Sequence, residues 1–143
     1  MEELRTLRSA DGVKLGYRLW REGAHSRRTI VLLHGMASNM TRWSEFVEHT
    51  SLKQQWDILR PDLRGHGESF ARGRITLDVW CADLNQLLDA EGADQAVIIG
   101  HSLGAQLAMY FAARHPERVQ GLVLIDPVFQ EAVRGTMRSI KWL

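Results

Sequence analysis

The sequence Ala-Val-Ile-Ile-Gly-His-Ser-Leu-Gly at residues 96–104 carries more structural information than any other part of the chain. Its first four residues are apolar, as in a buried strand, and a helical pattern begins directly after Gly104. A strand, a sharp turn with a serine at its tip and a helix form a nucleophile elbow. Gly100 and Gly104 flank Ser102, and small residues there let the strand and the helix pass closely. The stretch predicts that the Ser102 hydroxyl lies beside the free N–H groups of a helix N-terminus.

Apolar runs typical of strands alternate with helical patterns along the rest of the chain. We predict strands at Leu4–Arg8, Val13–Trp20, Thr29–Leu33, Trp56–Leu59, Gln95–Ile99 and Val119–Ile125. We predict helices after the N-caps Thr41 and Thr76, and from the elbow to the residue before Pro116. The pair Asp11-Gly12 indicates a hairpin between the first two strands. The predicted fold class is therefore α/β, with a mainly parallel sheet of about six strands that is flanked by helices and edged by that hairpin.

Composition restricts the class of protein. The chain has 143 residues, of which 45% are hydrophobic and 24% are charged, as in one small globular domain with a real core. Its net charge of +1 gives no electrostatic reason to expect binding to nucleic acid or to an anionic membrane surface. The single cysteine, Cys81, excludes an intrachain disulfide and a zinc site of the usual spacing, so we expect a small buried residue on a helix. No metal or cofactor is predicted.

The sequence shows no targeting or membrane-spanning signal. The first residues, Met1-Glu2-Glu3-Leu4-Arg5, lack the apolar core of a signal peptide. The longest aliphatic runs, Ile30–Leu33 and Leu122–Ile125, are far too short to span a bilayer. We therefore predict a soluble, cytoplasmic protein.

Two interpretations of Ser102 are open. Gly-x-Ser-x-Gly alone occurs by chance, and the serine could occupy a purely structural turn. The strand before it and the helix after it favour a nucleophile. An oxyanion hole would then be formed by the backbone N–H groups of Leu103, the residue after the serine, and of Met36, which follows the central strand. His34, at the end of that strand, either belongs to this site or is bonded locally in a tight turn.

The acid and the base of such a site are less evident. Asp126 ends the strand after the elbow helix, so it should lie at the same sheet edge as Ser102, either as a site acid or only as a strand terminator. His101 should point away from the nucleophile, and His115 lies at the far end of the elbow helix, about 20 Å away. Neither suits the role of base. The loop Arg64-Gly65-His66-Gly67 could cradle a phosphate, but it lacks the lysine and the spacing of a P-loop, which favours an ordinary loop.

These motifs together resemble the α/β-hydrolase superfamily, in its serine-nucleophile branch. The matching residues are His34-Gly35, Trp43, Asp62 to Ser69, Gly100 to Gly104, Ala113 to Val119 and Leu122 to Asp126. The resemblance implies a serine hydrolase that acts on a small-molecule ester, thioester or lactone and needs no cofactor. Members with an aspartate nucleophile, such as dehalogenases and epoxide hydrolases, differ at position 102, which is serine here.

The resemblance also implies that the chain corresponds to the N-terminal part of the family's fold. Residues 1–128 match the core, and residues 129–143 would begin a cap or lid segment. Members of the family continue with a cap, two further strands, and loops that carry the usual acid and the histidine base. The strand at residues 119–125 is therefore expected at a sheet edge with both faces apolar, which invites pairing. An amphipathic stripe of Phe129, Val133, Met137 and Ile140 follows it.

The sequence leaves two hypotheses. In the first, the chain is the N-terminal part of a serine hydrolase, either a truncated gene product or a half that a complementary C-terminal chain completes, and it is nearly inactive alone because the base comes from outside these residues. In the second, it is a non-catalytic binding or assembly protein that keeps half of the hydrolase fold and associates with itself through the edge strand.

Overall fold

The structure, a computed structural model, describes residues 1–23 and 28–128. Within them, six strands form one sheet: β1 (Glu2–Arg8), β2 (Lys14–Trp20), β3 (Thr29–Leu33), β4 (Asp57–Pro61), β5 (Ala96–His101) and β6 (Val119–Ile125). Their order across the sheet is β1-β2-β4-β3-β5-β6. The pairs β1/β2 and β2/β4 are antiparallel, and β3/β4, β3/β5 and β5/β6 are parallel. The predicted fold class is confirmed, including the antiparallel hairpin at one edge.

Three α-helices are found in the described residues: α1 (Ser44–His49), α2 (Leu77–Ala90) and α3 (Leu103–Arg114). Short 3₁₀ turns lie at Met40–Trp43, Ser51–Gln54 and Pro116–Arg118. The predicted cap Thr76 is confirmed, because its hydroxyl accepts from the Val79 N–H at 3.3 Å.

The predicted N-cap Thr41 is wrong. Asn39 caps this segment instead, since its Oδ1 accepts from the Thr41 N–H at 2.9 Å and from the Thr41 hydroxyl at 2.6 Å. An asparagine side chain readily bonds to the backbone two residues further on, so the turn begins earlier than the apolar pattern indicates.

The core lies on both faces of the sheet, and β3 shows why. Val31 and Leu33 belong to the larger cluster under α2 and α3, whereas Ile30 and Leu32 belong to a smaller cluster under α1. All five residues of β3 are buried. A strand covered on both faces needs apolar side chains at every position, which explains its unbroken Ile-Val-Leu-Leu run.

The outer strand β6 pairs with β5 and with no further strand in the described part of the chain. Its large apolar side chains are exposed: Leu122 by 39%, Val123 by 45% and Ile125 by 42%. The expectation of an apolar edge strand is thereby confirmed for these residues. The stripe that begins at Phe129, and the whole predicted cap segment 129–143, lie outside the described residues.

Cys81 is buried on α2, as predicted, and burial raises the pKa of its thiol to about 11.

None of the helices formed by residues 1–23 and 28–128 is long and apolar enough to cross a bilayer.

Candidate active site

Backbone strain is concentrated at the carboxyl ends of three neighbouring parallel strands. In the described ranges, the non-glycine residues with positive φ are Ala37 (53°), Ser102 (53°) and Asp126 (49°). They follow β3, β5 and β6, which lie side by side in the sheet. Such conformations cost about 1–3 kcal/mol each and are found mostly at functional sites. Ligands of open parallel sheets also bind at this edge, so it is the place where a site is expected.

Ser102 stands at the turn between β5 and α3, with φ 53° and ψ −113°. Its N–H donates to the carbonyl of Ile125 in β6 at 2.9 Å. Its own carbonyl accepts from Ala105 at 3.0 Å and from Gln106 at 3.1 Å, which starts the hydrogen-bond ladder of α3. The hydroxyl makes no capping bond to the helix. The main chain of Ser102 is thus fixed on both sides, and its hydroxyl is left available.

The glycines around Ser102 are required by close backbone contacts. A Cβ atom on Gly100 would lie 2.3 Å from the Gly104 carbonyl oxygen. A Cβ atom on Gly104 would lie 2.4 Å from the Leu33 carbonyl oxygen and 2.7 Å from that of His34. Helix α3 therefore starts in direct contact with the ends of both β5 and β3, which no larger residue would permit.

The backbone groups predicted for the oxyanion hole lie on the two segments that meet at the elbow. The N–H of Leu103 is in the first turn of α3, where backbone donors have no partner inside the helix. Met36 follows β3 and is half exposed. The two segments lie in contact, because a Cβ atom on Gly35, the residue before Met36, would lie 3.4 Å from the Ser102 Cβ.

The His34 ring is bonded locally, which decides between the two interpretations left open by the sequence. It is fully buried, and its Nε2 accepts from the Leu63 N–H at 2.9 Å. The proton must therefore be on Nδ1, which lies 2.8 Å from the Gly35 carbonyl oxygen and donates to it. Burial lowers the pKa of His34, although the bond to Gly35 opposes this shift. His34 is a neutral side chain that joins the end of β3 to the loop after β4.

The state of His34 predicts a pH dependence of stability. Since its pKa is lower in the folded chain than the ordinary value near 6.5, the unfolded chain takes up the proton first as the pH falls. The free energy of unfolding should therefore decrease below about pH 6.5, by up to about 1.4 kcal/mol per pH unit. Urea unfolding at several pH values should show a shallower decrease for His34→Gln than for the wild type. The exposed His49 gives the control, since His49→Gln should keep the wild-type slope; equal slopes for all three proteins would contradict the assignment.

The other candidate residues are not assembled into a triad in the described residues. Asp126 is exposed at the end of β6, where it makes no hydrogen bond or ion pair with residues 1–23 or 28–128. His115 ends α3 and lies 3.2 Å from the Asn85 amide, far from the elbow as predicted. The His66 ring packs edge-on against His34, with 5.1 Å between the ring centroids. No histidine is hydrogen-bonded to the Ser102 hydroxyl in this part of the chain, and His25 lies outside it.

The loop after β4 is an ordinary structural loop, as the sequence favours. The Arg64 guanidinium is buried and donates to both oxygens of Asp83, at 2.6 and 2.8 Å. It also pairs with Asp11 in the β1–β2 turn. A guanidinium bound to two carboxylates is not available for a phosphate. Within the described ranges, no three His, Cys, Asp or Glu side chains are grouped as metal ligands.

An open cleft of about 530 Å³ adjoins the elbow on the α1 side of the sheet. It is lined by Arg42, Trp43, Glu45, Phe46, His49, His101 and Ile125. Two of its buried polar atoms, the indole Nε1 of Trp43 and Nδ1 of His101, have no hydrogen-bond partner in the described chain. Unsatisfied buried polar atoms are rare in folded proteins. Sequence patterns do not indicate this cleft, because residues from α1, β5 and β6 meet there only in the fold.

Known proteins match this chain in both sequence and fold. The family model for the alpha/beta hydrolase fold matches residues 28–142. The chain belongs to the α/β-hydrolase-fold family. A crystal structure of a hydrolase from Pseudomonas aeruginosa PA01 matches with a TM-score of 0.79 and 30% identity, over 91% of this chain and 49% of that one.

Curated relatives within the family carry different names. Lipase LipV of Mycobacterium tuberculosis is 35% identical over 107 residues, which are 75% of this chain and 40% of LipV. A soluble epoxide hydrolase from Corynebacterium sp. is 31% identical over 115 residues, which are 79% of this chain and 39% of that enzyme. The chain therefore spans about two fifths of the length of these α/β hydrolases.

Proposed function

We propose that this chain carries the nucleophile and the oxyanion hole of a serine hydrolase that acts on a small-molecule ester, thioester or lactone. The observation that carries the proposal is the strained backbone of Ser102, whose free hydroxyl stands at the start of α3. Strain of this kind is kept when the surrounding structure enforces it for a function. Serine at this position favours acyl transfer over displacement by a carboxylate, the chemistry of the family's aspartate-nucleophile members.

The proposed reaction has two acyl-transfer steps. The Ser102 oxygen attacks the acyl carbon while its proton passes to a general base. The carbonyl oxygen becomes an oxyanion, which accepts hydrogen bonds from the N–H groups of Met36 and Leu103. The C–O or C–S bond then breaks, and the base returns its proton to the leaving alcohol or thiol. Water, deprotonated by the same base, hydrolyses the acyl-serine and restores the hydroxyl.

The base is proposed to come from outside the described residues. None of their histidines bonds to Ser102, and His34 is held by Leu63 and Gly35. Asp126 is the candidate acid that would orient such a base. It follows Ile125, whose carbonyl accepts the Ser102 N–H. Its positive φ at this edge supports the assignment.

We place the docking of the base-bearing polypeptide at the cleft and at the free edge of β6. Ile125 and His101 line the cleft. His101 precedes Ser102 in the chain and the Ile125 carbonyl accepts the Ser102 N–H, so a segment seated there would lie beside the nucleophile. The unbonded Trp43 Nε1 would donate to a backbone carbonyl of that segment. A strand paired with β6 would cover Val123 and Ile125, which are more than 40% exposed.

Sedimentation distinguishes a base-bearing polypeptide at the β6 edge from a second copy of the chain at that edge. If the β6 edge receives a polypeptide segment from outside residues 1–143, the 143-residue chain should remain a monomer at micromolar concentration. A dimer that dissociates when Val123 is replaced by lysine would instead identify the edge as a self-association surface.

The exposed β6 edge also supports a second candidate function, a non-catalytic binding or assembly protein. Ser102→Ala would distinguish the two, because a binding protein keeps its function without the hydroxyl and a hydrolase does not. The cytoplasmic location stays a prediction from the sequence.

A fluorophosphonate probe tests the proposed chemistry. It should form an adduct on Ser102 that is absent from Ser102→Ala, and the reaction of the isolated chain should be slow because no described histidine is bonded to Ser102 as a base. Intact-mass spectrometry and peptide mapping give the rate and the site. Ser9 is buried in the β1–β2 turn and hydrogen-bonded to Asp11 and Val13, so Ser9→Ala serves as a matched control that keeps the adduct. An adduct on another residue, or rapid labelling of the isolated chain, would contradict the proposal.

A further inference from the structure

Asp62 is a buried carboxylate whose role the proposed chemistry leaves unexplained. Asp62 directly follows β4, and only 3% of its surface is exposed. No arginine or lysine in the described chain forms an ion pair with it. Placing an unpaired carboxylate in the interior is costly unless backbone or side-chain donors satisfy its oxygens. The donors that do so indicate what the residue holds in place.

Both carboxylate oxygens of Asp62 accept backbone N–H groups from two different segments. Oδ1 accepts from Met40 at 2.5 Å, and Oδ2 accepts from Glu68 at 2.7 Å. Met40 begins the helical turn before α1, and Glu68 lies in the loop after β4. The carboxylate therefore joins the far end of the loop after β3 to the loop after β4.

The loop that carries Met36 is thus fixed at both ends by neighbouring residues. At its start, the His34 ring accepts from the Leu63 N–H. At its end, the Met40 N–H donates to Asp62, the residue before Leu63. Between these anchors lies Ala37, in a strained conformation with φ 53°. A strained loop keeps its shape only where the surrounding contacts enforce it.

The surroundings of Asp62 are built closely around the carboxylate. A Cβ atom on Gly67 would lie 2.1 Å from Oδ2, and Gly67 has a φ of +46°. The main chain of Asp62 is also fixed, because its N–H donates to the Gly16 carbonyl at 2.9 Å and its carbonyl accepts from the Ser69 hydroxyl at 2.7 Å. The carboxylate therefore has little freedom to move away from Met40.

From these contacts we infer that Asp62 is a positioning residue for the oxyanion hole. It holds the 35–39 loop so that the Met36 N–H converges with the Leu103 N–H beside Ser102. This inference rests on the proposed function, because it assigns the loop's N–H group to the oxyanion. Asp62 itself does not touch the substrate.

Asp62→Asn is the informative variant, because it keeps the shape of the side chain but replaces one acceptor with an NH₂ donor. One of the two anchoring bonds is lost, and two donors then face each other. We expect the maximal rate of fluorophosphonate labelling at Ser102 to fall about tenfold or more, with the half-saturating probe concentration unchanged. Loss of a whole oxyanion donor costs about 10²–10³ in rate, and a displaced donor costs part of that.

Asp83→Asn is the matched control. Asp83 is also a buried carboxylate, 5% exposed, and it holds the same loop through Arg64, but it makes no bond to residues 34–40. This variant should lose stability and keep the wild-type labelling rate per folded molecule. Equal labelling rates in Asp62→Asn and the wild type would overturn the inference, as would an equal loss in both variants. If Asp62→Asn does not fold, Gly67→Ala displaces the carboxylate instead and should give the same decrease.

Hydrogen exchange separates failure of this inference from failure of the proposed function. If wild-type Ser102 forms no adduct at all, the proposed function fails and labelling cannot report on Asp62. The amide of Met40 and those of the 35–39 loop should still exchange faster in Asp62→Asn than in Asp83→Asn. Unchanged exchange of these amides would overturn the positioning role directly.

Discussion

Gly104→Ala is expected to lower the free energy of unfolding by about 3 kcal/mol, a large part of the stability of a small domain. The added Cβ atom would lie 2.4 Å from the Leu33 carbonyl oxygen and 2.7 Å from that of His34. Both atoms are backbone, so no side-chain rotation relieves the contact. The start of α3 and the end of β3 must separate, and with them the segments that carry Leu103 and Met36.

Gly121→Ala is the matched control for this substitution. Gly121 lies in β6, and a Cβ atom there would meet only the Val97 Cγ2 atom, at 3.8 Å. We expect its free energy of unfolding to stay within about 0.5 kcal/mol of the wild type. Urea unfolding of both variants measures the difference. A Gly104→Ala variant as stable as Gly121→Ala would show that α3 does not start in contact with β3.

The sequence predicts the strand, turn and helix around Ser102 well because their determinants are local. The apolar run of β5, the glycines around Ser102 and the helical pattern of α3 are adjacent in the chain. The unbroken apolar character of β3 likewise predicts a strand covered on both faces, and all five of its residues are buried. Burial on both faces leaves a direct signature in the residue pattern.

The contacts that hold the site together could not be predicted in the same way. Asp62 bonds to Met40, and His34 bonds to Leu63, across separations of 22 and 29 residues. Nothing in the local pattern of either residue indicates its partner. Asn39 caps the turn in place of Thr41 because its side-chain carbonyl sets the start of the turn. Hydrophobic periodicity contains no information about such a bond.

Serine hydrolysis requires an activated serine beside oxyanion donors and also a general base, and in the proposed site these come from different parts of the protein. A strained serine and backbone donors are arranged by the fold itself, through the elbow and the loop after β3. A base must be brought to the serine by a residue beyond those described. Loss of the base costs on the order of a million-fold in rate in one serine protease, whereas an oxyanion hole alone leaves a modest residual activity.

Imidazole in solution should therefore supply in part the base that the described residues do not provide. We expect it to accelerate fluorophosphonate labelling of Ser102 by about tenfold to a hundredfold at the highest practical concentration. The gain stays well below a million-fold, because a base held in place has an effective concentration of about 10⁵ M or more. Only neutral imidazole accepts a proton, so the acceleration should disappear as the pH falls below its pKa.

Two controls restrict this experiment to the proposed chemistry. Ser102→Ala should give no adduct at any imidazole concentration. Sodium chloride at the same ionic strength should not accelerate the wild type, since the effect is proton transfer and not screening.

The imidazole dependence of Ser102 labelling in the isolated chain shows whether the elbow provides a nucleophile and an oxyanion hole and requires only a base. We expect slow labelling without imidazole and a rate that increases with the concentration of neutral imidazole. Fast labelling that is independent of imidazole would contradict this expectation, because a base would then already be in place. Labelling that stays absent at every concentration would contradict it equally, because Ser102 would then not be a nucleophile.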